Sequence, residues 1–111
     1  MSVTIAGREL GSALFLGTGG RPSRALLEPV LVAARPGLVT VSVRRTSAVQ
    51  EGGLLDVLRR TGVPLLPNTA GCTSAREAVL TARLAREALE TTWVKLEVIG
   101  DEASLMPDAL E

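Results

Sequence analysis

Lys95 stands two residues before Glu97 in the run Trp93-Val94-Lys95-Leu96-Glu97-Val98-Ile99. The run is apolar, rich in β-branched residues, bounded by Thr91-Thr92 and Gly100-Asp101, and reads as a strand. Side chains alternate along a strand, so Trp93, Lys95, Glu97 and Ile99 share one face while Val94, Leu96 and Val98 share the other. At a rise of about 3.3 Å per residue the α-carbons of Lys95 and Glu97 fall roughly 6 to 7 Å apart, within joint reach of one small molecule. The chemistry this allows is attack of an amine on a carbonyl beside a carboxylate that carries protons. The chain has eleven arginines and this one lysine. A position that needs only positive charge accepts either residue, whereas a neutral amine can come only from lysine. The competing reading is a solvated face, the usual meaning of Lys and Glu two apart on a strand. Trp93 and Ile99 on the same face count against it.

Other polar residues fall where strands should end. Leu38-Val39-Thr40-Val41-Ser42-Val43 alternates and closes on Arg44-Arg45, with Thr40, Ser42 and Arg44 on one face. Arg44 could bind an anionic substrate, although two solvated or ion-paired arginines are the commoner case. Val63-Pro64-Leu65-Leu66-Pro67 is a short strand running into Asn68-Thr69-Ala70-Gly71. Asn68 and Thr69 could hydrogen-bond a substrate there, and Asn is also an ordinary turn residue. Gly17-Thr18-Gly19-Gly20 follows the apolar run Ala13-Leu14-Phe15-Leu16, the pattern of a buried strand entering a loop. As a nucleotide fingerprint it is weak, because Pro22 replaces the third glycine and Arg44-Arg45, which at best suit a phosphorylated dinucleotide, replace the acidic residue; as a bare turn it needs no ligand. Cys72 suits packing.

The elements that must position these residues repeat. A two-residue turn, Ala6-Gly7, joins short segments around Val3-Thr4-Ile5 and Arg8-Glu9-Leu10 into a hairpin. Helices are expected over about Ser23 to Ala34, despite Pro29 inside it, over Leu54 to Arg60 before Gly62, and from a capping box at Ser74 and Glu77. The last helix carries Ala75, Ala78, Val79, Ala82, Ala85 and Leu89 on one stripe, and Pro107-Asp108-Ala109-Leu110-Glu111 looks like the opening of another. Strands begin near residues 13, 38, 63 and 93, each followed by a helix, which makes a parallel sheet. Eight such units make a (β/α)8 barrel of about 250 residues. The expected fold is therefore α/β, the N-terminal half of a (β/α)8 TIM barrel with four parallel strands, in one partial domain over residues 1–111.

Composition narrows the function. Twelve basic and twelve acidic residues cancel, so no excess charge invites nucleic acid or an anionic membrane. No apolar run nears the roughly 20 residues of a membrane span. One cysteine cannot form an internal disulfide, and the first residues lack the pattern of a signal peptide, which makes the cytoplasm the default. Histidine is absent, which removes Ser-His and Cys-His nucleophiles and most zinc sites. No metal or cofactor is expected.

Taken together, Phe15-Leu16-Gly17-Thr18-Gly19, Val41-Ser42-Val43-Arg44-Arg45, Leu66-Pro67-Asn68-Thr69-Ala70-Gly71-Cys72 and Val94-Lys95-Leu96-Glu97 resemble, in order and spacing, the bacterial thiazole synthases of thiamine biosynthesis. The resemblance spans the chain. It implies a barrel enzyme that forms the thiazole phosphate from 1-deoxy-D-xylulose 5-phosphate, dehydroglycine and sulfur carried as the C-terminal thiocarboxylate of a small ubiquitin-like protein. It further implies that Lys95 forms an imine with the sugar ketone, that Glu97 moves protons, and that the full-length barrel is a homo-oligomer. Gly20-Arg21 replaces the lysine and aromatic usual after the first glycine pair, and Pro29 is unexpected in the first helix. The family's phosphate loops and second catalytic carboxylate would lie beyond Glu111. The expectation is an N-terminal fragment, inactive alone. The alternative is a non-catalytic half-barrel that binds a phosphorylated ligand or a complementary half.

Overall fold

The computed structural model describes residues 1–19, 23–45 and 53–111. Gly20 and Pro22 of the first glycine loop and Gly52 of the second lie outside them. The chain divides into two compact units, Met1–Val41 with Thr46–Leu65, and Ser42–Arg45 with Leu66–Glu111.

In the first unit, β1 (Val3–Ile5) and β2 (Arg8–Leu10) pair antiparallel, with Val3 opposite Leu10. Ala6 and Gly7 between them both take positive φ, 49° and 76°, as the tight two-residue turn that matches strand twist requires. Strand β3 (Phe15–Gly17) pairs in parallel with β4 (Leu38–Ser42), Phe15 opposite Leu38 and Gly17 opposite Thr40. The sheet order is β3-β4-β5, and β5 (Leu65–Asn68) joins this unit through Leu65. Val39 N–H donates to Pro64 O at 2.9 Å, just before that strand. Leu38 and Val39 are consecutive and both buried, so both faces of β4 are covered, as befits a parallel strand. The run Ala13-Leu14-Phe15-Leu16 was expected to be a buried strand and is not: Leu14, just before β3, and Phe15 are 47% and 42% exposed. The place of β3 at the end of the sheet order explains this.

Two helices complete the unit. Helix α1 (Arg24–Ala34) and α2 (Leu54–Thr61) pack together and bury Leu27, Leu31, Leu55 and Leu58. Pro29 does lie inside α1, on its exposed side. The helix persists because a proline forfeits one backbone bond, here to Ala25 O, while the apolar stripe remains intact. Arg35 closes α1 in the left-handed region at φ 46°, its N–H donating to Leu31 O. Gly62 stops α2 in the same conformation at φ 68°.

The second unit opens with a 3-10 turn, Val43–Arg45, so Arg44 is not on the strand face expected for it. Helix α3 (Ala75–Leu89) starts at Ser74, whose hydroxyl accepts from Glu77 N–H at 3.2 Å. The reciprocal bond of this cap goes one residue further back, with Glu77 Oε2 accepting from Thr73 N–H at 2.9 Å. Its buried face is Ala78, Thr81 and Ala85. Val79, placed on the inward stripe by periodicity, is largely exposed, and Thr81 takes an inward place because its hydroxyl meets Cys72 Sγ at 3.4 Å.

The expected fourth strand is not formed as a strand. Trp93–Ile99 carries two isolated bridges, Lys95 parallel to Asn68 and Ile99 antiparallel to Pro107. The ladder breaks for a local reason. A parallel ladder would next take Glu97 N–H to Thr69 O; here Glu97 N–H donates to the Thr69 hydroxyl instead, and Thr69 O is turned to Cys72 N–H across the turn. The expected last helix is absent too: Pro107 pairs with Ile99, and Asp108 Oδ1 accepts from Leu110 and Glu111 N–H groups in a carboxylate-capped turn. Three parallel strands alternating with helices are consistent with part of a (β/α)8 barrel.

Candidate functional site

The turn after β5 carries the site. Asn68 Oδ1 accepts from Ala70 N–H at 3.1 Å, and Cys72 N–H donates to Thr69 O at 3.1 Å, closing a four-residue turn from Thr69 to Cys72. Its third residue, Gly71, takes φ +84°, where side chains are strained. A Cβ there would also meet Arg44 Nη1 at 3.1 Å, so the Arg44 guanidinium lies over this glycine. Asn68, Thr69 and Cys72 are buried.

Every second residue of the following segment is fastened to this turn. Lys95 N–H donates to Pro67 O at 2.9 Å, and Lys95 O accepts from Thr69 N–H at 3.2 Å. Glu97 is held by a side chain instead: Thr69 Oγ1 donates to Glu97 O and accepts from Glu97 N–H, both at 2.7 Å. Ile99 N–H donates to Cys72 O at 2.9 Å. The alternation of a strand is thus kept although the ladder is not. Lys95 and Glu97 project the same way, and Lys95 Nζ sits 3.2 Å from Glu97 Oε1.

Electrostatics at the neighbouring helix start are set by Thr73. Its backbone N–H, then its hydroxyl, hold the Glu77 carboxyl below its ordinary value of 4.5, with the positive charge of Arg44 adding to the effect. On the other side Glu97 lines a cavity of about 570 Å³ with the apolar side chains of Val79, Leu96, Val98 and Leu105, and with Glu111. The Glu111 carboxylate accepts from Ala75 N–H at 2.9 Å, in the first turn of α3.

The structure therefore brings Asn68, Thr69, Lys95 and Glu97 together and places Arg44 over Gly71 in the same unit. Sequence reasoning named these five residues but missed how Thr69 grips Glu97. A threonine two residues after Pro67, where a strand should end, was the signal available. It also missed Glu111, whose role depends on a contact across 36 positions. Among the described residues no group of three or more His, Cys, Asp or Glu is placed to hold a metal ion, and no helix is long and apolar enough to cross a membrane.

Residues 4–111 match the family model of the thiazole biosynthesis protein ThiG. The chain belongs to that family. Membership in the ThiG family assigns it to the thiazole synthases of thiamine biosynthesis, and the match covers both units, including the turn after β5 and the Lys95 segment.

Proposed function

We propose that Lys95 forms an imine with the ketone of 1-deoxy-D-xylulose 5-phosphate and that Glu97 moves the protons of the rearrangements that follow. The observation that carries this reading is the 3.2 Å contact between the chain's one side-chain amine and a carboxylate held in register beside it. Lys95 Nζ, on a side chain 49% exposed, gives up a proton to solvent and attacks the carbonyl carbon; the carbonyl oxygen leaves as water. The imine nitrogen then withdraws electrons from the neighbouring carbon, where a carboxylate at hydrogen-bond range of Lys95 can take the next proton. Arg44 supplies positive charge for an anionic group of the substrate, and Asn68 supplies a carboxamide beside Lys95. Dehydroglycine and the thiocarboxylate of a ubiquitin-like sulfur carrier are the co-substrates this reading requires to complete a thiazole.

Borohydride trapping tests it. The protein is incubated with 1-deoxy-D-xylulose 5-phosphate, and in a second arm with hydroxyacetone, a ketone without phosphate, then reduced and mapped by mass spectrometry. A reduced adduct on Lys95 in either arm supports the reading. Adducts confined to the terminal amine in both arms overturn it.

A further inference from the structure

Thr69 is fully buried, yet its side chain makes two short polar contacts, and both go to the backbone of one residue, Glu97. A threonine hydroxyl has one proton to give. Here that proton is committed to Glu97 O, so it is not free for a substrate. The same oxygen accepts from Glu97 N–H, which brackets the residue from both sides of its α-carbon. Glu97 N–H goes to this hydroxyl and not to Thr69 O, which accepts from Cys72 N–H across the turn. The main chain of Lys95, by contrast, is held by backbone bonds to Pro67 and Thr69.

We propose that Thr69 is a positioning residue that acts on the proton carrier and not on the nucleophile. Its hydroxyl fixes the α-carbon of Glu97, and so the reach of the carboxylate, while the backbone ladder fixes Lys95 without it. This inference rests on the imine reading above. In the step concerned, a C–H bond next to the iminium carbon breaks, its electron pair moves into the new carbon–carbon double bond of an enamine, and the proton passes to the Glu97 carboxylate. Displacement of that carboxylate slows this step while leaving imine formation in place. A misplacement of about 1 Å is enough to cost up to roughly 100-fold in such a transfer.

The test separates the two halves of the site in Thr69→Val, which keeps the shape but loses both bonds, and in Thr69→Ser, which keeps the hydroxyl. Two quantities are read with hydroxyacetone: the yield of borohydride adduct on Lys95, and the rate of deuterium uptake at the carbon next to the carbonyl in D2O. The expected result is that Thr69→Val keeps the adduct within about twofold and loses roughly 10- to 100-fold in deuterium uptake, while Thr69→Ser restores uptake. Uptake unchanged in Thr69→Val overturns the proposal and leaves the imine reading standing. Parallel loss of adduct and uptake in Thr69→Val, unrescued by serine, also overturns it, because Thr69 is then only a strut of the fold. Absence of any Lys95 adduct in the unsubstituted protein overturns both.

Discussion

Lys95 Nζ lies 3.2 Å from Glu97 Oε1, on side chains 49% and 35% exposed. An ion pair this open to water contributes only about 0 to 1 kcal/mol to stability. Its loss can therefore be read apart from unfolding. Replacing Lys95 by arginine keeps the charge and removes the only side-chain amine. Lys95→Arg is expected to unfold within about 1 kcal/mol of the parent in urea while giving no side-chain borohydride adduct. A reduced adduct that survived in this variant would place the reactive amine elsewhere.

Glu97→Gln keeps a hydrogen-bonding side chain of the same size and removes the proton acceptor we propose. The expected outcome is a Lys95 adduct that still forms, with deuterium uptake next to the ketone lowered about 10²- to 10⁴-fold, the range general-base catalysis supplies. Mass spectrometry of adduct and ketone in one sample reads both.

Glu77 gives the start of α3 an acid limit. Its carboxyl is held below 4.5 by the Thr73 backbone N–H and hydroxyl and by the charge of Arg44, with desolvation opposing. A carboxyl depressed in the folded state adds stability above its ordinary value and loses it as pH falls through the lower folded value. Urea midpoints are therefore expected to drop as pH falls from 4.5, and Glu77→Gln to flatten that part of the profile. A profile unchanged by the substitution would remove Glu77 from the acid response.

Pro29 leaves Ala25 O without its helical partner on the exposed side of α1. Pro29→Ala restores the bond and is expected to raise unfolding free energy by about 1 to 3 kcal/mol, measured in urea.

Gly37 is required for space. Its N–H donates to Leu14 O at 2.9 Å, and a Cβ there would run into the carbonyl oxygen of Ser12. Gly37→Ala is expected to cost about 1 to 3 kcal/mol, whereas Gly11→Ala, with nothing near the added carbon, should change stability by about 0.5 kcal/mol or less.

Much of this was legible in the sequence because it depends on local signals. The helix at Ser74 and Glu77, the stop at Gly62, the turn at Ala6-Gly7 and the shared direction of Lys95 and Glu97 all follow from residue type and period. The departures have non-local causes. Trp93–Ile99 has the composition of a strand, but pairing depends on where its neighbour's carbonyls point, and at Thr69 the chain turns so that the carbonyl meets Cys72 N–H while the hydroxyl takes Glu97 N–H. Arg44 leaves its strand because the chain winds into a 3-10 turn that no residue type there announces. Val79 leaves the inward stripe expected for it, and Thr81 is buried where its hydroxyl meets Cys72 Sγ, which a hydropathy pattern does not register.

The hydroxyl bracket at Thr69 has an evolutionary corollary. Main-chain pairing is indifferent to sequence, so a segment anchored only by it can drift in composition and keep its alignment. Here the alignment of the carboxylate is delegated to one side chain, and a single substitution can retune it while its amine neighbour stays where it is. A lineage could in this way adjust the proton chemistry of the site without rebuilding its scaffold.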